Sequence, residues 1–367
     1  MRTLLAIVLV IVLGGVGFGV YRYFFAGGGG SYSTVDVNIG AVADQTASEL
    51  CTDKAGHDRI VCLANELKKT LTPEMLSAVQ LDYSVGNAQK WSNFPPMGYR
   101  NRVGATLDKF DTRQLAIVKT ILKEATGKTA GDGYDEIEQI LNADDYLYAQ
   151  TKENGFSSGN YHFALLGTPG PTGTWELQFG GHHLAFANTY RDGQLIGATP
   201  SFRGVEPFGD FQQNGRVNNP LKSEQQAFAA LFQSLSEDER SKAKLNQSFN
   251  DILVGPQKDN TFPSTPSGIR VGDLAPEKQA LVVKAIETYV RDIYEEGANA
   301  VMDKYRGELA DTYISFTGTP NVDQVNDYVR IDGPSVWIEL SMQKGASLTG
   351  GASAQRVARQ ADGLRRQ

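Results

Sequence analysis

Histidine and cysteine are both scarce in this chain, with four histidines and two cysteines among 367 residues. No His-Glu-x-x-His pair, Gly-rich phosphate loop or dinucleotide fingerprint occurs, which excludes the commonest zinc peptidase, P-loop and Rossmann signatures. No serine nucleophile elbow is predicted at a strand-to-helix turn either. Lysine and arginine number 35 against 42 acidic residues, so no nucleic acid is expected as a partner.

The first 26 residues contain a long hydrophobic run. Thr3 to Val20 carries no charge and would form a helix of roughly 27 Å, close to the ~30 Å hydrocarbon layer of a bilayer. Phe24 and Phe25 precede the candidate cut after Ala26, which favours an uncleaved signal anchor over a cleaved signal peptide. We therefore predict one transmembrane helix over residues 1–26, followed by a flexible tether over residues 27–41.

Two further features bear on partners and compartment. Gly15 and Gly19 have the GxxxG spacing that lets two membrane helices pack closely. The spacing is compatible with a homodimer, and equally with glycines that the helix merely tolerates. Cys51 and Cys62 lie close in sequence, and a disulfide between them would contribute roughly 3 kcal/mol, the alternative being two buried thiols. Because disulfides persist outside the cytoplasm, we expect the body of the protein at the periplasmic or extracellular face.

Residues 42–343 are predicted to form a single α+β domain. Helical patterns fill its first part, and a strand ending at Gly167 is followed by a turn-rich loop and a second strand from Trp175, as in a hairpin. A similar pair of strands is predicted over residues 312–317 and 335–342. These patterns favour a largely antiparallel sheet with helices packed on it. The Gly- and Ala-rich residues 344–367 are predicted to be a disordered basic tail.

Two adjacent histidines mark the candidate site. His182 and His183 follow Gly180 and Gly181, whose flexibility would let both imidazoles reach one face despite the alternation of a strand. If the first hairpin pairs Gly167 with Trp175, His162 falls opposite Gly180 and near both histidines.

Four stretches of the chain resemble the uncharacterised family called domain of unknown function 3500. They span roughly residues 70 to 343 in the order Trp91–Pro95, Gly180–His183, Ala198–Pro207 and Asn326–Glu339. The resemblance implies no established activity. It draws attention to the positions His182, His183, Arg330, Asp332, Trp337 and Glu339. The family pattern continues into a histidine-bearing segment, whereas no histidine follows His183 here.

Several functions are compatible with these residues. One is a metal-assisted hydrolase with zinc or copper bound by His162, His182 and His183. Acid–base chemistry without a metal is another, with catalytic groups drawn from His182, His183, Asp332 and Glu339. Arg203 and Arg330 are the candidates for binding a substrate, either a small molecule or an envelope component. The alternatives are a noncatalytic ligand-binding module and a structural envelope protein. We expect the histidines to share a polar cleft with residues 198–207 and 330–332.

Overall fold

The computed structural model describes residues 45–258, 261–345, 347–348 and 352–360. The predicted anchor, tether and glycine-mediated dimer contact all fall on residues outside these ranges. Among the described helices, none combines the length and apolar composition needed to cross a bilayer.

Ten α-helices occur in the described ranges, and local sequence explains several of their ends. Asp111 caps the helix that follows it by accepting from the backbone N–H of Gln114, whose side chain accepts in return from Asp111 N. Ser236 and Glu239 form a second capping box. The helices are α1 Gln45–Ser48, α2 Gly56–Thr70, α3 Pro73–Val79, α4 Val85–Ala88, α5 Thr112–Ala125, α6 Gly133–Thr151, α7 Lys222–Ser234, α8 Glu237–Ala243, α9 Pro276–Val290 and α10 Glu295–Gly307.

The strands form one large sheet and a small hairpin. They are β1 Gln80–Leu81, β2 Ala105–Thr106, β3 His162–Leu166, β4 Thr174–Gly181, β5 Leu184–Arg191, β6 Gln194–Gly197, β7 Ser201–Val205, β8 Phe211–Gln213, β9 Arg216–Asn218, β10 Ile269–Arg270, β11 Tyr313–Thr317, β12 Tyr328–Asp332, β13 Val336–Lys344 and β14 Ala352–Gln360. The main path of the large sheet is β1-β3-β4-β5-β7-β14-β13-β12-β11-β10. All its described pairings except β1 with β3 are antiparallel, which confirms the predicted sheet type.

The two faces of this sheet differ in polarity because side chains alternate along each strand. Phe179 and Ile338 belong to the face that packs against the helices, where they join two large clusters of buried apolar side chains. Arg330 and Glu339 lie opposite each other on the other face. Loops around Trp91 and Ile252 cover part of that second face. The sheet is therefore apolar toward the helices and polar toward the loops.

The C-terminal segment corrects the sequence prediction. Residues 344–367 were expected to be disordered, yet β14 lies within the sheet, paired with β13 on one side and β7 on the other. Alanines and polar residues dominate the sequence of β14, so no alternation of apolar and polar residues predicts a strand there. Backbone hydrogen bonds to two neighbours depend little on side-chain type, which is why composition was a poor guide here. The domain therefore reaches at least Gln360 and not Gln343.

The two cysteines form the predicted disulfide. Cys51 and Cys62 are bonded, with their Cα atoms 6.1 Å apart, and the bond joins the segment before α2 to the middle of that helix. No other cysteine is present in the chain.

Candidate functional site

His182 and His183 form the two-residue turn that joins β4 to β5. Gly181 pairs with Leu184 across this turn, so the preceding glycines stay in regular strand pairing and do not form a bulge. The backbone N–H of His183 donates to Asn93 O at 2.9 Å, and Gly204 N donates to His183 O at 2.7 Å. His183 adopts a positive φ of 60°. We call these two residues the histidine turn.

His182 is oriented by a carboxyl group from helix α6. Its Nδ1 lies 2.6 Å from Asp144 Oδ1, and Asp144 is 1% exposed. Burial raises the pKa of Asp144 well above its ordinary value and lowers the pKa of His182 to about 3, because water solvates neither charged form. Both shifts favour the uncharged forms of the two groups, in which the Asp144 carboxyl donates to Nδ1 and the ring proton is on Nε2.

His183 is buried without a hydrogen bond to its ring. Neither Nδ1 nor Nε2 has a partner among the described residues, and only 7% of the residue is exposed. Its ring packs against His182, with centroids 3.8 Å apart. A side chain at Gly204 would approach His183 Nδ1 to 2.8 Å, so glycine is needed beside this imidazole. Burial lowers the pKa of His183 well below its ordinary value, and the ring is neutral.

Other polar groups surround the histidine turn. The Tyr161 hydroxyl donates to His182 O. Arg102 donates to Gly181 O at 3.2 Å and to carbonyls of the loop that covers the turn, including Ser92 O at 2.8 Å. Burial lowers the pKa of Arg102 to about 10. The carboxylate of Glu206 accepts backbone N–H groups of the chain after β13. The turn is thus enclosed by a loop, a helix and the C-terminal segment.

His162 lies opposite Gly180, as predicted from the hairpin. Its Nδ1 is 3.3 Å from Gly104 O, and burial lowers its pKa to about 4. The predicted metal set of His162, His182 and His183 is nevertheless not assembled. Within the ranges that the structure describes, no group of three or more His, Cys, Asp or Glu side chains could hold a metal ion. The reason is geometric: His182 and His183 lie beyond the strand ends, whereas His162 projects from the polar face.

Arg330, Asp332 and Glu339 lie away from the histidine turn. The sheet order places β12 three strands from β7, which at ~4.8 Å per strand is roughly 14 Å. Residues 201–205 therefore adjoin the histidine turn, through the bond from Gly204 N to His183 O, whereas residues 330–332 do not. Arg330 stacks on the Trp337 ring at 4.9 Å. Glu339 accepts four hydrogen bonds, which fix a covering loop to the sheet; the donors are Leu253 N, Val254 N, Tyr328 Oη and Trp337 Nε1.

Arg203 has a structural environment in place of the predicted substrate contact. It is 1% exposed and faces the helices, where it pairs with Glu136 and lies 3.1 Å from Asp292. The Gly133 carbonyl accepts a further hydrogen bond from it at 3.1 Å. These contacts tie β7 to the start of α6 and to the end of α9, and they leave the guanidinium no exposed surface for a substrate.

Sequence reasoning missed Asp144 and a serine-containing loop. Asp144 falls on the apolar stripe of α6 with Ile137, Ile140 and Leu147, and a carboxyl on a buried stripe is a signal that the sequence does carry. Residues 155–159 read Gly-Phe-Ser-Ser-Gly, the spacing of a nucleophile elbow, although they lie between a helix and a strand. The Phe156 ring in this loop is 5.1 Å from the His182 ring.

A model of one protein family matches most of the chain. Its description is "Protein of unknown function (DUF3500)", and the match covers residues 53–358, which includes the histidine turn and most of β14. No curated protein and no solved structure matches the chain.

Proposed function

Because the chain belongs to the DUF3500 family, for which no function is established, we propose from geometry that His182 and Asp144 are the acid–base pair of a hydrolase. The observation that carries the proposal is the 2.6 Å hydrogen bond between His182 Nδ1 and Asp144 Oδ1. A buried carboxyl that orients one imidazole nitrogen leaves the other free to exchange protons with a substrate.

The uncharged state of the pair suggests how a proton would move. His182 Nε2 donates its proton to the leaving group while Nδ1 takes the proton of the Asp144 carboxyl. Nε2 then takes a proton from the attacking water, and Nδ1 returns its proton to Asp144. One proton thus passes from water to the leaving group, and the imidazole never holds two. This suits a site where burial lowers the pKa of His182 to about 3.

We place this hydrolase outside the cytoplasm, tethered by its apolar N-terminal segment. The bond between Cys51 and Cys62 supports this location, because disulfides are rare in reducing compartments. The segment of residues 1–26 supports the tether through its length and lack of charge beyond Arg2 and Arg22. A small molecule or an envelope component is the expected substrate.

The test uses the full chain in detergent with a panel of chromogenic esters, phosphoesters, glycosides and peptide anilides. We expect one class to be hydrolysed, and His182→Gln and Asp144→Asn each to lower kcat by about 10²- to 10⁴-fold. His57→Gln is the matched control, because His57 is also buried but packs on Trp175 and Tyr190. Full activity in both site variants, with unchanged melting temperatures, would refute the acid–base role of His182 and Asp144.

A fluorophosphonate probe separates two routes of hydrolysis. An adduct on Ser157 would indicate that a serine attacks the substrate first, since this residue adjoins the Phe156 ring that contacts His182. If the substrate is hydrolysed but the probe does not label Ser157, water attacks the substrate directly.

A second candidate function is noncatalytic ligand binding, favoured by His183. Its two ring nitrogens are buried and have no partner among the described residues, and an unmade hydrogen bond there costs roughly 1–3 kcal/mol, which a small bound ligand or ion would recover. The carboxyl–imidazole arrangement at His182 also resembles the way zinc-binding histidines are oriented. Elemental analysis of the full chain, purified without chelator, tests this reading. About one equivalent of zinc or copper, lost in His182→Gln, would assign Nε2 to a metal.

A further inference from the structure

A cavity of about 430 Å³ lies on the helical side of the protein, away from the histidine turn. Two chain connections form it: residues 126–132 between α5 and α6, and residues 291–294 between α9 and α10. A bridge between Thr126 and Ile293 joins these connections, and Gly127 N donates to Asp292 O at 2.9 Å. A side chain at Gly127 would meet Arg291 O at 1.9 Å, so only glycine permits this close approach. The cavity is therefore preformed by backbone pairing.

The lining carries charges of both signs from different elements. Lys128 comes from the first connection and Arg291 from the second, directly after α9. Lys128 Nζ lies 3.3 Å from Glu124 and Arg291 lies 3.7 Å from Glu287, but both cationic side chains remain exposed to a ligand, at 69% and 41%. Glu124 is already neutralised, because it accepts from Arg59 at 2.7 Å and lies 3.3 Å from Lys128 Nζ.

Glu295 and Glu296, in the first turn of α10, are the remaining acids of the lining. Both are exposed, and neither forms an ion pair with any residue that the structure describes. The cavity can therefore offer carboxylates to a cationic group and cationic side chains to an anionic one.

Apolar groups complete the lining. Ile293 and Ala298 are buried beneath it, and the half-exposed Tyr294 ring lies beside them. Cavities of 300–1,000 Å³ suit small molecules, whereas folded partners need a much larger surface. A ligand for this cavity should therefore be small, carry both charges and have a hydrocarbon part.

We propose that this cavity binds a small zwitterion, namely an aliphatic amino acid or a short peptide with a free ammonium and a free carboxylate. Glu295 and Glu296 receive the ammonium, Lys128 and Arg291 receive the carboxylate, and the aliphatic side chain packs on Ile293. This site is independent of the proposed acid–base centre, since the two share no residue.

Calorimetric titration of the full chain in detergent tests the proposal. The probes are L-leucine and leucyl-leucine, with N-acetyl-L-leucine and L-leucinamide as matched compounds that lack one charge each. We expect at least one zwitterion to bind and both single-charge compounds to bind about 2- to 5-fold more weakly or worse. No binding of either zwitterion at millimolar concentration would overturn the proposal, as would equal binding of leucine and its two derivatives.

Variants locate the binding. Glu295→Gln with Glu296→Gln, and separately Arg291→Gln, should each weaken binding of the zwitterion by at least about 2-fold. Glu237→Gln is the matched control, because Glu237 is an exposed acid in the first turn of α8, outside the cavity lining. His182→Gln should leave binding unchanged, which separates this site from the proposed hydrolase. An equal loss in Glu237→Gln, or a loss only in His182→Gln, would refute the assignment.

Discussion

Acidification should destabilise this protein through its buried histidines, and His162 gives the clearest test. Burial holds the pKa of His162 at about 4, against an ordinary value of 6.5. Between these values the unfolded chain binds a proton that the folded chain does not. A His pKa that is lowered on folding therefore costs stability as pH falls below 6.5, and the cost stops growing near pH 4.

The size of the effect follows from the width of this window. One bound proton changes the free energy of unfolding by 1.36 kcal/mol per pH unit, so His162 should cost about 2 kcal/mol between pH 6.5 and pH 5. His182 and His183 act in the same direction, because burial also lowers their pKa values. Asp144 acts in the opposite direction, since its raised pKa means that the folded protein holds a proton that the unfolded chain lacks above the ordinary pKa of an aspartic acid.

A comparison with His162→Gln isolates one histidine from these opposing contributions. Urea unfolding of the full chain and of the variant at pH 7 and at pH 5 gives four free energies. We expect the wild type to lose about 2 kcal/mol more than the variant between the two pH values, whatever the variant costs at pH 7. An equal loss in both proteins would show that His162 titrates normally, and our account of its burial would be refuted.

Two further predictions concern the scaffold. Trp175→Ala and Trp337→Ala should each lower the free energy of unfolding by roughly 3–5 kcal/mol, because both indoles are 0% exposed in strands of one sheet. The control Phe94→Ala, at a position that is 49% exposed, should change stability by less than ~0.5 kcal/mol. Wild-type melting temperatures in both tryptophan variants would contradict this prediction. Alkylation under non-reducing conditions of protein from its native envelope should modify neither Cys51 nor Cys62. The double variant Cys51→Ser with Cys62→Ser should lose roughly 3 kcal/mol of unfolding free energy. Alkylation of both thiols would contradict the disulfide and the proposed compartment.

Short-range patterns in the sequence predicted much of the architecture. The turn-rich loop after Gly167 placed His162 opposite Gly180, and the structure has that register. The disulfide could be predicted for the same reason, since Cys51 and Cys62 lie close together in the chain. Strand β14 could not, because its own composition is not strand-like and one of its two pairing partners, Ser201–Val205, lies about 150 residues earlier in the chain.

The same distinction between local and long-range information applies to the candidate site. The sequence by itself determined that His182 and His183 are adjacent, that glycines precede them and that the hairpin brings His162 nearby. Only the tertiary structure decided that His182 and His183 lie in the turn beyond the end of β4, that Asp144 from α6 orients His182, and that Arg330 lies several strands away. A turn is specified by neighbouring residues, whereas the partner of a buried imidazole depends on which helix packs over the strand ends, and that is set by the core as a whole.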